Sequence, residues 1–261
     1  MKKSFVLLFS LVLILVFVAC GKQNSFENDM EYVKDKGKLV VGITNFEPMD
    51  YKNDEGQWIG FDADMAKQFA EKLGVEIEFV EISWDSKLIE LDGKTIDCVW
   101  NGMTLNDETK EGMECSKPYC NNAQVVIVPV EKADQYQTVE SLSDLTFAVE
   151  AGSAGEKQVQ DLNLNFISVK EQADALMEVN SGTADAAIID SLMAGAMVGD
   201  KTAYKNLTYT VSLNSEQYAV GFRKGSNLAK ELNDFLDTSY AEGTTMKIAE
   251  EYGVQAAVVE Q

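Results

Sequence analysis

Residues 61–79 read FDADMAKQFAEKLGVEIEF, and they decide the fold because two different periodicities meet in them. Apolar residues recur every four positions in the first half: Met65, Phe69 and Leu73. This spacing predicts one apolar face of a helix, which Asp62 caps and Gly74 ends. Residues 75–79 then alternate apolar and acidic side chains, which predicts a half-buried strand. The stretch is therefore a helix–strand unit of an α/β protein.

Similar elements extend from this unit in both directions along the chain. Before it, Leu39–Ile43 is a short apolar run typical of a buried strand. After it come a helix around Asp85–Leu91 and a strand at Ile96–Trp100. This β-α-β-α-β order implies a largely parallel sheet covered by helices. A second set follows with strands at Thr146–Glu150, Phe166–Val169 and Ala184–Ile189, a helix opened by Gly152-Ser153-Ala154-Gly155, a helix after Lys170 with Ala173, Leu176 and Met177 on one face, and a last helix carrying Leu228, Leu232, Phe235 and Leu236.

Two further apolar runs lie outside these sets, at Gln124–Val128 and Tyr218–Phe222. Two lobes joined by two crossing strands would account for both. A faint internal repeat, Gly93 to Asp97 against Gly182 to Asp185, sets Gly102 opposite Asp190 at strand carboxyl ends. Ligands in open α/β sheets bind at such ends, so we expect these two residues to line one cleft.

Composition excludes several classes of function. The chain of 261 residues carries 22 Lys+Arg against 43 Asp+Glu, a net charge of −21, which disfavours binding to nucleic acid. It has no histidine, which excludes Ser-His-Asp and Cys-His catalysis and imidazole metal sites. No calcium-loop motif occurs either, so we expect no metal and no cofactor. Cys98 is predicted to be a core thiol, whereas Cys115 and Cys120 could pair or stay free.

The amino terminus is predicted to be a signal rather than part of the fold. A basic start precedes the apolar run Phe5–Ala19, which is shorter than the roughly 20 residues of a spanning helix. The end of this run, Phe17-Val18-Ala19-Cys20-Gly21, resembles a bacterial lipobox, whose cysteine is acylated, although Phe17 stands where that pattern usually has Leu. An uncleaved anchor helix is the alternative. We expect the protein on the outer face of the cell membrane, held by lipid at Cys20.

Several motifs, taken in order, resemble the family 3 extracellular solute-binding proteins, the polar amino-acid receptors of ABC importers. The resemblance spans about residues 38–254 and implies a hinged receptor of the type II periplasmic-binding-protein fold, each lobe a mostly parallel sheet. It is carried by Lys38-Leu39-Val40-Val41-Gly42, Glu47-Pro48-Met49, Gly60 to Ala66, Gly93 to Asp97, Gly102-Met103-Thr104, Ser116-Lys117-Pro118-Tyr119, Gly152-Ser153, Ala184 to Ala187 with Asp190, and Val220 to Gly225.

The same resemblance implies an organisation of the chain. We expect a signal peptide at 1–19, a lipidated tether at 20–37, a first lobe at 38–127, a second lobe at 128–217, a return to the first lobe at 218–254 and a tail at 255–261. The expected partners are a small-molecule ligand, an ABC permease with its ATPase, and the membrane through lipid; the protein is expected to be a monomer and not an enzyme.

The resemblance also implies ligand-binding residues, one position at a time. An aromatic residue that packs on the ligand corresponds to Phe46, and the opposite wall to Trp84. Backbone and hydroxyl contacts correspond to Gly102 and Thr104, the carboxylate-holding hydroxyl to Ser153, and the acid that pairs with the ligand ammonium to Asp190. Physical chemistry agrees, because a zwitterion needs an anion for its ammonium and donors for its carboxylate, and a helix that begins near Ser153 supplies donors.

One position departs from the family pattern. The family has an arginine that clamps the carboxylate, and this chain has Thr109 there. Lys110 is adjacent but points about 100 degrees away on a helix. The ligand carboxylate is therefore held more weakly, held otherwise, or absent, and an amine without a carboxylate is an alternative ligand. A ligand-sensing module and a dehydratase-like enzyme are the alternative functions.

Overall fold

The computed structural model of this chain describes residues 28–261, so the expectations for the signal peptide and for Cys20 lie outside it. The strands are β1 Lys38–Ile43, β2 Tyr51–Lys52, β3 Trp58–Ile59, β4 Glu76–Glu81, β5 Cys98–Val99, β6 Met113–Cys115, β7 Cys120–Asn122, β8 Gln124–Pro129, β9 Thr146–Glu150, β10 Asn165–Val169, β11 Ala186–Asp190, β12 Leu207–Ser212, β13 Glu216–Tyr218 and β14 Gly221–Arg223. The helices are α1 Asp29–Lys36, α2 Phe61–Leu73, α3 Lys87–Asp92, α4 Asp107–Gly112, α5 Ala154–Asp161, α6 Gln172–Ser181, α7 Ser191–Met197, α8 Leu228–Ala241 and α9 Thr244–Glu251, with short 3₁₀ turns at Trp84–Ser86, Val130–Gln135 and Val139–Leu142.

Two five-stranded sheets form the centres of two lobes. The sheet of lobe 1 has the order β4-β1-β5-β14-β6, and that of lobe 2 the order β10-β9-β11-β8-β12. In each sheet the strands of the β-α-β units run parallel, and one strand from outside these units joins antiparallel. In lobe 1 this is β14, which comes later in the chain and lies beside β5; in lobe 2 it is β8, which comes earlier and lies beside β11. The two-lobed α/β architecture is thereby confirmed, with sheets that are mixed rather than purely parallel.

The segments that cross between the lobes differ largely from the predicted ones, and only Tyr218, the first residue of the second predicted run, belongs to one of them. The run Gln124–Val128 pairs with β11 and β12 inside the sheet of lobe 2. The run Tyr218–Phe222 is interrupted, and its second half joins lobe 1 as β14. Between the sheets, β7 and β13 form a separate antiparallel pair, with Tyr218 opposite Cys120. Long apolar runs are buried in sheet interiors, whereas the short crossing strands carry polar side chains and lack an apolar pattern.

Two helix predictions are wrong in detail. Gly60, not Asp62, is the residue at the N-cap of α2, and Asp62 lies in the first turn, fully buried. Its carboxylate accepts hydrogen bonds from the Gly102 N–H at 2.7 Å and from the Tyr119 hydroxyl at 2.7 Å. Helix α6 buries Leu176 but leaves Met177 exposed, because its apolar face contains the positions Ala175, Leu176 and Val179.

The only arginine of the chain, Arg223, lies in the interior of lobe 1. Its guanidinium pairs with Asp29 at 2.9 Å and with Asp97 at 3.0 Å, and it donates to the carbonyl oxygen of Ile96 at 2.6 Å. These contacts fix helix α1 to lobe 1, although that segment was expected to belong to a tether. They also keep the guanidinium away from the inter-lobe cleft.

The three cysteines within the described range are free thiols. Cys98 is fully buried, which confirms the predicted core thiol, and Cys115 and Cys120 are not paired with each other. Among residues 28–261, no group of three or more His, Cys, Asp or Glu side chains is placed to hold a metal ion. No helix in that part of the chain has both the length and the apolar character needed to cross a bilayer.

Candidate functional site

A cleft lies between the two lobes at the carboxyl ends of their parallel strands. It is lined by all seven residues that the sequence predicts, which the fold brings together from five separate regions of the chain. Its lining consists of Phe46, Trp84, Lys87, Asn101, Gly102, Met103, Thr104, Asn106, Glu108 and Thr109 from lobe 1, and Glu150, Gly152, Ser153, Ala154, Lys157, Gln172 and Asp190 from lobe 2.

The lobes touch across this cleft. The ammonium of Lys87 in lobe 1 donates to the carbonyl oxygen of Gly152 in lobe 2 at 3.0 Å, and to that of Trp84 at 3.1 Å. A Cβ atom added to Gly152 would lie 2.7 Å from the Cα atom of Asp85 in the other lobe. The cleft is therefore in a closed arrangement, and the absence of a side chain at Gly152 permits that closeness.

Asp190 is the buried acid at the end of β11. One of its oxygens accepts from the hydroxyl of Tyr218 at 2.6 Å, from the Gln124 amide at 3.0 Å and from the Asn122 amide. The other accepts from the Gln172 amide. Burial raises the pKa of Asp190 to about 7, and the neighbouring Glu216 charge adds to this rise, whereas the hydrogen bonds oppose it. A positively charged group in the cleft would stabilise the ionised carboxylate.

Glu150 is a second buried acid, and the sequence reasoning missed it as a site residue. It ends β9 beside Asp190, is 2% exposed, and its Oε1 atom has no hydrogen-bond partner among residues 28–261. Burial, followed by the charge of Asp190, raises the pKa of Glu150 well above its usual range. The signal that could have found it is its position at the carboxyl end of a parallel strand, the same rule that pointed to Asp190.

Lys87 is the other functional candidate that the sequence did not reveal. Its side chain is buried, and burial lowers the pKa of its ammonium. Lys157 also lines the cleft, but it is exposed and pairs with Asp161 at 2.9 Å. Lys87 was hidden because a lysine in the first turn of a short helix ordinarily faces solvent, and here the opposite lobe covers it.

Thr109, the position where the family has its arginine, is engaged in local structure. It caps α4 reciprocally with Asn106: the Asn106 N–H donates to the Thr109 hydroxyl at 2.9 Å, and the Thr109 N–H donates to the Asn106 side chain at 2.9 Å. Lys110 is exposed and does not line the cleft. Neither residue supplies a cationic clamp for a carboxylate.

The apolar walls come from Phe46 and Trp84, both buried. Gly102 has a φ of +55°, and a Cβ atom there would lie 2.5 Å from Cε1 of Phe46, so a side chain would displace this wall. The Gly102 N–H already donates to Asp62, and the Thr104 hydroxyl donates to Glu216 at 3.0 Å. The Gly102 N–H and the Thr104 hydroxyl proton are thus already engaged within the protein.

Ser153 stands at the N-cap of α5, as its position before the helix predicts. Its hydroxyl oxygen accepts from the Glu156 N–H at 3.1 Å, and Glu156 in turn accepts from the Gly152 N–H at 2.9 Å. Ser153 and Ala154 both line the cleft at the start of α5. Such a helix start suits an anionic group.

Trp100 and Asn101, which follow β5, lie in the core and in the cleft respectively. Trp100 is buried in the core of lobe 1, where its ring packs on Phe69. Asn101 lines the cleft, and its side chain accepts from the Thr44 N–H at 3.0 Å and donates to Asp50 at 2.8 Å. Asn101 thus connects the strand ends of lobe 1 beneath the cleft.

Comparison with known proteins places these features in a family. Residues 39–255 match the family model of bacterial extracellular solute-binding proteins, family 3. The chain is 29% identical over 249 residues to the L-cystine-binding protein TcyJ of Escherichia coli strain K12, which covers 92% of each chain. It is 26% identical over 200 residues, 74% of each chain, to the cyclohexadienyl dehydratase of Pseudomonas aeruginosa.

Among solved structures, a mutant of ArgBP from T. maritima superposes with a TM-score of 0.79 at 29% sequence identity, covering 86% of this chain and 98% of that one. The two-lobed fold and the family match agree over nearly all of the described residues. The chain therefore belongs to the bacterial extracellular solute-binding proteins, family 3.

Proposed function

We propose that this protein captures an amino acid between its lobes and delivers it to an ABC importer. The observation that carries this proposal is Asp190, a buried carboxylate held at the cleft by side-chain donors on both of its oxygens. Such a carboxylate is costly to bury without a cation, and the ammonium of an amino acid supplies one. The ABC importer is inferred from relatives such as the ABC transporter glutamine-binding protein GlnH of Bacillus subtilis.

The rest of the cleft suits the other parts of an amino acid. The carboxylate of the ligand meets the start of α5 at Ser153, and the carbon skeleton packs between Phe46 and Trp84. Because the ligand contacts both lobes only when they are closed, binding shifts the protein toward the closed state. The carboxylate is held without the arginine that the family has at position 109.

A thermal-shift screen tests this function on the purified protein. We expect at least one L-amino acid to raise the unfolding temperature, because a ligand at 100 times its dissociation constant adds about 2.7 kcal/mol to stability. Amines without a carboxylate and carboxylates without an amine serve as matched probes. A shift with amines alone, or with none of the amino acids, would contradict the proposal.

We also propose that the protein is held at the outer face of the membrane by acylation of Cys20. The support is the order of basic start, apolar run and small residue before this cysteine. Replacing Cys20 by Ala is expected to abolish incorporation of labelled palmitate into the protein. Cys98→Ala, which alters a buried thiol, is the control. A palmitate-labelled band in the Cys20 variant would refute the anchor.

A dehydratase-like enzyme is the second candidate, and one observation favours it. Burial raises the pKa of Glu150 well above its usual range, and a raised pKa favours the protonated carboxyl form that a general acid needs. The two functions differ in the fate of the bound molecule. Recovery of the ligand unchanged after long incubation supports the binding protein, and appearance of a new C=C absorbance supports the enzyme.

A further inference from the structure

The buried acid Glu150 has no task in the binding of an amino acid backbone. The proposed ammonium site uses Asp190, and the proposed carboxylate site uses the start of α5. Glu150 nevertheless lines the same cleft, is 2% exposed, and leaves its Oε1 atom without a hydrogen-bond partner among the described residues. An unpartnered polar atom at such a depth is unusual in a folded protein, and it marks a place that a ligand group can complete.

The charges around Glu150 are not balanced by the protein alone. Two buried carboxyl groups, Glu150 and Asp190, face the cleft, against one buried ammonium, that of Lys87. The Lys87 ammonium donates to two carbonyl oxygens, those of Trp84 and Gly152, rather than to a carboxylate oxygen of Glu150. The other charged lining residues, Glu108 and Lys157, are exposed and screened by solvent.

This count separates classes of ligand. A zwitterion with a neutral side chain adds one positive and one negative charge. The cleft therefore still has one buried carboxyl group more than it has positive charges. A ligand with one further positive charge balances the cleft, and a charged group in contact with Glu150 supplies the missing partner of Oε1. Burying a carboxylate in contact with a cation is far less costly than burying it alone.

We propose that Glu150 forms a second cation subsite that receives the positively charged end of the ligand side chain, so that the substrate class is the cationic amino acids. This inference rests on the proposed function, since it assumes that the amino-acid backbone is held by Asp190 and the start of α5. Gln172 also lines this cleft, and its side-chain amide donates to the Asp190 carboxylate.

Titration calorimetry with matched ligand pairs tests the subsite. L-arginine is compared with L-citrulline, its neutral analogue of similar shape, and L-lysine with L-norleucine. We expect the cationic member of at least one pair to bind ten times more tightly, or better. Glu150→Gln is expected to remove this preference by weakening the cationic member while leaving the neutral one within about threefold.

Glu131→Gln is the matched control, because it removes the same charge from an exposed position in lobe 2. Equal or tighter binding of both neutral analogues by the unaltered protein would overturn the subsite and leave the proposed function intact. A preference for cations that survives in Glu150→Gln would likewise overturn it. Failure of every amino acid to bind would overturn both the subsite and the proposed function.

Discussion

Replacement of Asp190 by Asn is expected to weaken amino-acid binding by about 30-fold to several thousand-fold, because losing one partner of a buried charge pair costs about 2–5 kcal/mol. The change keeps the shape of the side chain but removes the charge that an ammonium requires. Titration calorimetry with the best ligand from the thermal-shift screen measures the loss.

The fold itself should tolerate this replacement. Burial raises the pKa of Asp190 to about 7, which means that the ionised carboxylate is disfavoured in the empty protein. An uncharged amide removes that cost, but it also replaces the oxygen that accepts from the Gln172 amide by a donor. The two effects oppose each other, so we expect the ligand-free variant at pH 8 to keep a cooperative unfolding transition close to that of the unaltered protein. Asp144→Asn, at an exposed position of lobe 2, is the control for the change in net charge. Unchanged affinity in Asp190→Asn would exclude this residue as the ammonium partner.

Replacement of Gly152 by Ala is expected to weaken binding by about 10- to 100-fold by opposing closure, since about 1.4–2.7 kcal/mol against the closed state has that effect. The added Cβ atom would lie 2.7 Å from the Cα atom of Asp85, a backbone atom that has little freedom to move. The clash raises the free energy of the closed state relative to the open state, because the two atoms belong to different lobes. The packing within each lobe is unchanged.

Gly182→Ala separates this effect from backbone strain. Both glycines have left-handed φ values, +72° for Gly152 and +80° for Gly182, but a Cβ atom at Gly182 meets no atom within 4 Å. The two variants should therefore lose similar stability, and only Gly152→Ala should lose affinity and ligand-induced compaction in small-angle scattering. Equal affinity in the two variants would show that closure does not depend on this contact.

Local patterns predicted most of the fold. The spacing of apolar residues gave helix α2, and alternation gave strand β4 directly after it. The prediction failed where burial depends on partners far along the chain. Aspartate is a residue type that often caps helices, but Asp62 is buried instead. Its carboxylate accepts hydrogen bonds from the Gly102 N–H and the Tyr119 hydroxyl, which lie 40 and 57 positions away in the sequence. No local pattern carries that information.

The candidate site likewise contains residues that the sequence predicted and residues that it did not. The rule that ligands bind at strand carboxyl ends placed Gly102 and Asp190 in one cleft, which the structure confirms. The rule applied equally to Glu150, but an acid before a glycine and a helix start is also typical of a solvated turn. Lys87 could not be predicted, because its burial requires the second lobe to lie against the first. Of the two residues that the sequence missed, Lys87 is the one whose surroundings include the other lobe.

The contact between helix α1 and Arg223 has a consequence for how the protein moves. Asp29 ties the first described helix to the interior of lobe 1, so Asn28 travels with that lobe as one rigid piece. In the anchored form that we propose, the residues from Cys20 to Asn28 can reach at most about 30 Å when extended. Lobe 1 is then held close to the membrane, and opening of the cleft moves lobe 2 relative to this fixed lobe.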